Sequence, residues 1–181
     1  EVRLKREKIA SYESYPFSIP AIKYLEYLSF DKEVTFLIGE NGSGKSTLLE
    51  AIAVGLGFNP EGGTINFNFQ TQNTHSCLSE YLRFSKSYKK YSDGFFLRAE
   101  SFYNVASNID ELNKLSPLLN SYGVKSLHEQ SHGESFLSLM LNRFGGEGLY
   151  ILDEPEAALS PNRLLVMLSK MNQLIANKSQ F

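Results

Sequence analysis

The chain has 181 residues, of which 42% are hydrophobic and 21% are charged, and its formal net charge is −2 at pH 7. These values are typical of a globular protein that is long enough to bury its own core, and we expect one domain. They exclude a protein that attracts nucleic acid through a large overall positive charge.

Cysteine content and hydropathy predict where the protein works. Cys77 is the single cysteine and cannot form an internal disulfide, which is typical of a protein of the reducing cytosol. No apolar run approaches the roughly 18 residues that a membrane-spanning helix needs, and the charged N-terminus does not resemble a signal peptide. We therefore expect a cytoplasmic protein, with any membrane association being peripheral.

The first thirty residues predict an antiparallel β portion. Residues 2–9 alternate weakly between apolar and charged side chains, which indicates an edge strand, and residues 22–30 predict a second strand. Tyr12, Tyr15 and Phe17 lie upstream of the next motif. Aromatic side chains in such a place can stack on a nucleotide base, but ordinary packing is the interpretation that we favour.

A phosphate-binding pattern comes next. Residues 34–38 are β-branched and apolar, as in a buried parallel strand, and residues 47–54, beginning with Thr47, predict a helix. Between them lie Gly39, Glu40, Asn41, Gly42, Ser43, Gly44, Lys45 and Ser46. This spacing of glycines, lysine and serine lets backbone N–H groups surround a phosphate at a helix N-terminus. Lys45 adds a positive charge, and we expect the Ser46 hydroxyl to be a ligand for Mg²⁺.

The middle of the chain carries weaker patterns. Residues 65–69 alternate and predict a half-buried strand, and residues 95–97 predict a short core strand. Basic and aromatic residues interleave within 83–91, a composition that can bind nucleic acid. We favour a solvated helix over 78–91 with a tyrosine-rich inner face. Residues 112–127 look irregular, because Pro117 and Gly123 interrupt them.

The last third contains two further motifs. Ser131-His132-Gly133-Glu134 precedes an apolar run and predicts a capping box at the start of an amphipathic helix. An apolar strand over 149–152 leads into Asp153-Glu154-Pro155. Ser160 and Pro161 then open a last helix that extends to about Ala176.

The order of these motifs resembles that of the ATP-binding-cassette (ABC) class of P-loop ATPases. Residues 39–46 match Walker A, residues 131–134 the signature motif, residues 151–155 Walker B and residues 157–160 the D-loop. The stretch between Lys45 and Ser131 is too short to contain long coiled-coil arms. The whole pattern looks similar to compact predicted ATPases of bacteria.

The resemblance implies an α/β fold of the P-loop NTPase type. It would have a mostly parallel central sheet flanked by helices and an N-terminal antiparallel β portion, in a single domain over residues 1–181. The resemblance also implies ATP and Mg²⁺ as cofactors. The implied roles are catalysis by Glu154 and Lys45, Mg²⁺ binding by Ser46 and Asp153, and nucleotide contacts from residues 39–47 and, across a dimer interface, from Ser131, Gly133 and Glu134.

Two parts of the ABC pattern have no clear match. The Q-loop position, a contact to Mg²⁺ and water, falls on Glu100 or Gln70. The switch histidine should follow Walker B, yet His75, His128 and His132 all precede it. From this order we expect that residues 1–181 lack the C-terminal strand that carries the histidine.

The leading functional hypothesis is Mg²⁺-dependent ATP hydrolysis by a soluble ABC-type ATPase that forms a homodimer around nucleotide. An alternative is the ATP-binding subunit of an ABC transporter, which would lie peripherally at a membrane. A second alternative is a nucleotide sensor that does not hydrolyse ATP. The sequence does not identify a partner protein, and it does not support nucleic acid as a ligand.

Overall fold

A computed structural model describes residues 1–65, 76–88, 90–115, 128 and 130–181, with the backbone alone for 112–115. Gln70 and His75 lie outside these residues, as do Phe67 and Phe69 of the predicted strand. The strands are β1 (Val2–Leu4), β2 (Tyr27–Leu28), β3 (Leu82–Phe84), β4 (Asp93–Arg98) and β5 (Gly148–Asp153). The α-helices are α1 (Pro20–Lys23), α2 (Lys45–Leu56), α3 (Phe102–Leu115), α4 (His132–Arg143) and α5 (Pro161–Ala176).

The predicted antiparallel portion is present as a three-stranded sheet in the order β2-β1-β3. Val2 lies opposite Leu28 on one side and opposite Phe84 on the other. The prediction of an edge strand at the N-terminus is therefore wrong, because β1 is paired on both sides. Most of the second predicted strand is also different, since Pro20 begins the short helix α1 and only Tyr27–Leu28 is extended.

A parallel pair of strands forms the centre of the molecule. The register of β4 and β5 runs from Asp93 opposite Gly148 to Arg98 opposite Asp153. Phe95 and Leu97 pack in a core with α3, α4 and α5, whereas Phe96 packs with α2 and the antiparallel sheet. Since successive side chains of a strand point to opposite faces, β4 contributes to both cores. Among the described residues, β4 and β5 form the central parallel sheet.

The strand predicted before the phosphate-binding pattern is not formed. Phe36 is 71% exposed and Ile38 is 92% exposed. Hydrogen bonds link Phe181 to Glu33 and Thr35, and a parallel bridge links Gln180 to Leu149 of β5. The end of the described chain thus lies between residues 33–35 and β5. Residues 36–38 line a cleft and are not assigned to a strand. Among the described residues, the backbone hydrogen bonds of residues 33–38 are those at Glu33 and Thr35.

Two other predictions are corrected. Residues 78–91 do not form one helix: a 3₁₀ helix over Cys77–Tyr81 leads into β3, and Tyr88 is fully exposed. The irregular stretch predicted from residue 112 begins later, because α3 continues to Leu115. Within the part of the chain that the structure describes, no helix is both long and apolar enough to cross a membrane.

Candidate functional site

The phosphate-binding loop leads directly into α2. Gly42 and Gly44 have φ angles of 79° and 96°, which lie in the left-handed region that glycine adopts without steric cost. Gly44 is also close to Ile19, since a Cβ there would lie 2.6 Å from the Ile19 Cγ2 atom. These two glycines therefore let the loop turn tightly before the N-terminus of α2, where free N–H groups and the helix dipole favour an anion.

Lys45 lies over the mouth of this loop. Its Nζ atom donates hydrogen bonds of 2.8 Å to the carbonyl oxygens of Gly39 and Glu40. These bonds hold the ammonium group at the loop, beside the N-terminus of α2. The arrangement places a positive charge where a phosphate chain would lie against the backbone amides.

Ser46 and Asp153 meet although they are distant in the sequence. The Ser46 hydroxyl donates a 2.9 Å hydrogen bond to Oδ1 of Asp153, which joins the first turn of α2 to the end of β5. Asp153 is buried, and this burial raises the pKa of its carboxyl group, while Ser46 and the charge of Arg98 offset part of the rise. A hydroxyl and a carboxylate are hard oxygen ligands, so the pair fits Mg²⁺ that is also bound by nucleotide phosphates.

Glu154 follows directly and has an unusual backbone. Its φ and ψ angles are 51° and 47°, in the left-handed region, which costs a non-glycine residue about 1 kcal/mol or more. This conformation ends β5, and the Glu154 side chain is exposed beside the buried Asp153. An exposed carboxylate held at a strained position next to a metal-binding candidate is suited to orient water and accept a proton.

Arg98 completes this edge of the sheet, and the sequence analysis had given it no role in the site. It ends β4 opposite Asp153, and its Nε atom lies 3.5 Å from Oδ2 of that residue. Its Nη1 atom donates a 2.7 Å hydrogen bond to Glu50 of α2, and its Nη2 atom donates a hydrogen bond to Glu100. The available sequence signal was a charged residue directly after an apolar strand. Glu100, one of the two candidates for the Q-loop position, is linked to Asp153 through Arg98, whereas Gln70 lies outside the described residues.

The signature residues form the predicted capping box at the start of α4. Glu134 accepts hydrogen bonds from the Ser131 N–H at 3.1 Å and from the Ser131 hydroxyl at 2.8 Å. It also accepts one of 2.8 Å from Arg163 of α5. A Cβ on Gly133 would lie 2.5 Å from the carbonyl oxygen of Ala158, so the start of α4 packs closely on the 3₁₀ helix Pro155–Ala158.

The remaining candidates are only partly brought to the loop. The Tyr15 hydroxyl lies 3.4 Å from the Thr47 hydroxyl and the Tyr15 ring is exposed, whereas Phe17 is buried in the core. The His132 ring packs edge-on against Phe102, and His128 contacts Ser107. In the described ranges, no group of three or more His, Cys, Asp or Glu side chains is placed to hold a metal by itself.

A cleft of about 1900 Å³ adjoins the loop. Its lining residues include Lys45, Asp153 and Glu154, together with residues 34–38, most of β5 and one side of α5. Lys45 and Asp153 therefore border the same open cleft.

Comparison with known proteins assigns the family. The family model described as AAA domain matches residues 6–136, which is most of the chain. Searches of curated proteins and of solved structures found no match. AAA domains have the α/β fold of P-loop NTPases, bind nucleotide and are generally ATPases that use Mg²⁺. The chain belongs to this AAA domain family of P-loop ATPases.

Proposed function

We propose that residues 1–181 form one ABC-type ATPase domain that binds and hydrolyses Mg·ATP at the loop over residues 39–47. The observation that carries this proposal is the hydrogen bond between Ser46 and Asp153. It joins the end of the phosphate-binding loop to the end of the Walker B strand, which is where a P-loop ATPase needs its two protein groups for Mg²⁺.

The residues of the site divide the chemical work. The amides of the loop and the Lys45 ammonium bind the phosphates and offset their charge. Ser46 and Asp153 would hold Mg²⁺, which supplies further positive charge to the β- and γ-phosphates when it is bound. Glu154 orients the attacking water and accepts its proton. Glu100 is linked to Asp153 through Arg98, which it binds by a hydrogen bond.

Dimerisation around ATP is the finer part of the proposal. The capped N-terminus of α4 has the exposed residues Ser131 and His132, and Gly133 is covered by Ala158 of the same chain. A capped helix N-terminus is a suitable receptor for a γ-phosphate that a second copy holds in its own loop. Because such an interface would be isologous, two nucleotides would lie in one dimer.

Light scattering of the Glu154→Gln variant tests this proposal. With Mg·ATP the variant should become a dimer, because bound ATP is not consumed. Adding Lys45→Ala should abolish both ATP binding and dimerisation. Adding Ser131→Arg should leave ATP binding intact but prevent the dimer, whereas Ser169→Arg, on the exposed side of α5, is the matched control and should still dimerise.

The outcomes separate the alternatives. If the protein binds ATP but stays monomeric at ATP concentrations above its Kd, the ABC-type dimer is contradicted. The remaining alternatives are then a P-loop ATPase of another type and a nucleotide sensor. Absence of ATP binding in the parent protein contradicts the proposal as a whole. Phosphate release by the parent protein distinguishes an ATPase from a sensor, and a stable complex with a membrane protein would favour the transporter subunit.

A further inference from the structure

The side chain of Arg98 is held among three carboxylates at the edge of the candidate site. Its exposure is 12%, and those of Glu50 and Asp153 are 14% and 7%, whereas Glu100 is 74% exposed. An arginine keeps its charge at any accessible pH, so this guanidinium is a permanent positive charge beside Asp153. Burying such a charge is unfavourable unless it is paired, which explains why it is surrounded by acidic groups.

The three nitrogen atoms of the Arg98 side chain differ in their hydrogen bonds. Nη1 donates to Glu50 at 2.7 Å and to the Pro60 carbonyl oxygen at 3.2 Å, and Nη2 donates to Glu100. Nε is buried and has no hydrogen-bond partner among the described residues. It forms an ion pair with Oδ2 of Asp153, at 3.5 Å. A buried donor without a partner is costly, so Arg98 gains free energy by moving closer to Asp153.

Asp153 therefore has two different neighbours for its two oxygens. Oδ1 is bonded to the Ser46 hydroxyl, and Oδ2 faces the Nε atom of Arg98. Glu50 binds a different nitrogen of the guanidinium, Nη1, and itself accepts a 3.1 Å hydrogen bond from the Ser76 N–H. The distance between Arg98 and Asp153 thus depends on how strongly Glu50 and Glu100 hold Arg98 away.

We propose that Arg98 is a positioning residue that competes with Mg²⁺ for the Asp153 carboxylate and so sets the Mg²⁺ concentration that nucleotide binding requires. This inference rests on the proposed Mg·ATP site. A fixed positive charge beside Asp153 repels a divalent cation, and Glu50 limits this effect by holding the guanidinium back. Removing the charge of Arg98 should strengthen Mg²⁺ binding, whereas removing the carboxylate of Glu50 should weaken it.

The test is a Mg²⁺ titration of the binding of a fluorescent ADP analogue, combined with thermal unfolding of each variant. Arg98→Gln should lower the half-saturating Mg²⁺ concentration by about tenfold or more, since the repulsion acts at short range in a partly buried site. Arg98→Lys keeps the charge but loses the forked hydrogen bonds, so its Mg²⁺ requirement should stay above that of Arg98→Gln. Glu50→Gln keeps the shape and the bond to Ser76, and it should raise the Mg²⁺ requirement.

Arg143→Gln is the matched control. Arg143 also forms a 2.8 Å ion pair with an aspartate, Asp93, but at the other end of the β4–β5 pair. This variant should lower the unfolding temperature and leave the Mg²⁺ requirement unchanged.

Each other outcome is decisive. A folded Arg98→Gln variant with the Mg²⁺ requirement of the parent protein would show that Arg98 is only structural. If Arg98→Gln does not fold, Glu50→Gln decides: a raised requirement supports the proposal, and an unchanged one overturns it. If nucleotide binding does not depend on Mg²⁺, only the proposed role of Arg98 is contradicted. If the parent protein does not bind the analogue at all, the proposed function is contradicted as well.

Discussion

The two ends of the β4–β5 pair each carry an aspartate and an arginine, yet they are built differently. At the amino end, Asp93 accepts hydrogen bonds of 2.8 Å from Arg143 and from the Tyr150 hydroxyl. At the carboxyl end, Asp153 is bonded to Ser46 and faces an Arg98 Nε atom that has no hydrogen-bond partner in the described residues. The aspartate of the amino end is hydrogen-bonded to both of its neighbours, whereas at the carboxyl end, within the described residues, Arg98 Nε is ion-paired with Asp153 but makes no hydrogen bond.

The pKa values of the two aspartates are shifted in opposite directions. Burial by itself raises the pKa of Asp93, but Tyr150 and Arg143 outweigh it and hold that pKa below its ordinary value. Burial raises the pKa of Asp153, and its neighbours do not fully offset the rise. The amino end therefore stabilises the fold, whereas the carboxyl end keeps groups that a ligand can stabilise. This agrees with the general rule that open α/β sheets bind ligands at the carboxyl ends of their strands.

The largest expected effect is at the carboxyl end. Glu154→Gln should lower ATP turnover by roughly 10²-fold or more, because the amide cannot accept a proton from water. ATP affinity should be retained, since the loop and Asp153 are unchanged. Phosphate release measures turnover and isothermal titration measures affinity. Glu156→Gln, an exposed glutamate two residues later, is the matched control and should keep the turnover of the parent protein. Undiminished turnover in Glu154→Gln would exclude Glu154 as the base.

A smaller effect is expected at the amino end, and on a different quantity. Asp93→Asn should lower the free energy of unfolding by about 2 kcal/mol, because Arg143 then loses the charge of its partner. Urea denaturation measures this change, with Asp31→Asn, at an exposed position, as the control. Mg·ATP affinity should not change. If Asp93→Asn weakened ATP binding without lowering stability, the functional distinction between the two ends would be wrong.

The smallest expected effect is a pH dependence of stability at Asp93. Since its folded-state pKa lies below the unfolded value of about 3.9, its contribution is complete above that value and is lost as the pH falls through the folded-state pKa. The difference in unfolding free energy between the parent protein and Asp93→Asn should therefore be constant near neutral pH and shrink in acid. A difference that grows as the pH falls would contradict the direction of the Asp93 shift.

The sequence by itself determined the elements that depend on local pattern. The glycines of the loop, the helix that Lys45 begins, the capping box at Ser131 and the helix over Pro161–Ala176 all follow from residues that lie within a few positions of each other. Backbone conformation and helix capping are local effects, so short motifs are sufficient to predict them. The approach of Ser46 to Asp153 was also implied, through the resemblance of the motifs.

Only the tertiary structure decided the features that depend on distant neighbours. Residues 34–38 look like a buried strand, but a strand needs a partner backbone, and no strand is assigned at 36–38 in the described chain. β1 became a central strand because two distant segments pair with it. Arg98 meets Glu50 and Asp153 only because α2 and two parallel strands end at the same edge. Such contacts depend on three-dimensional proximity, which no local pattern of residues specifies.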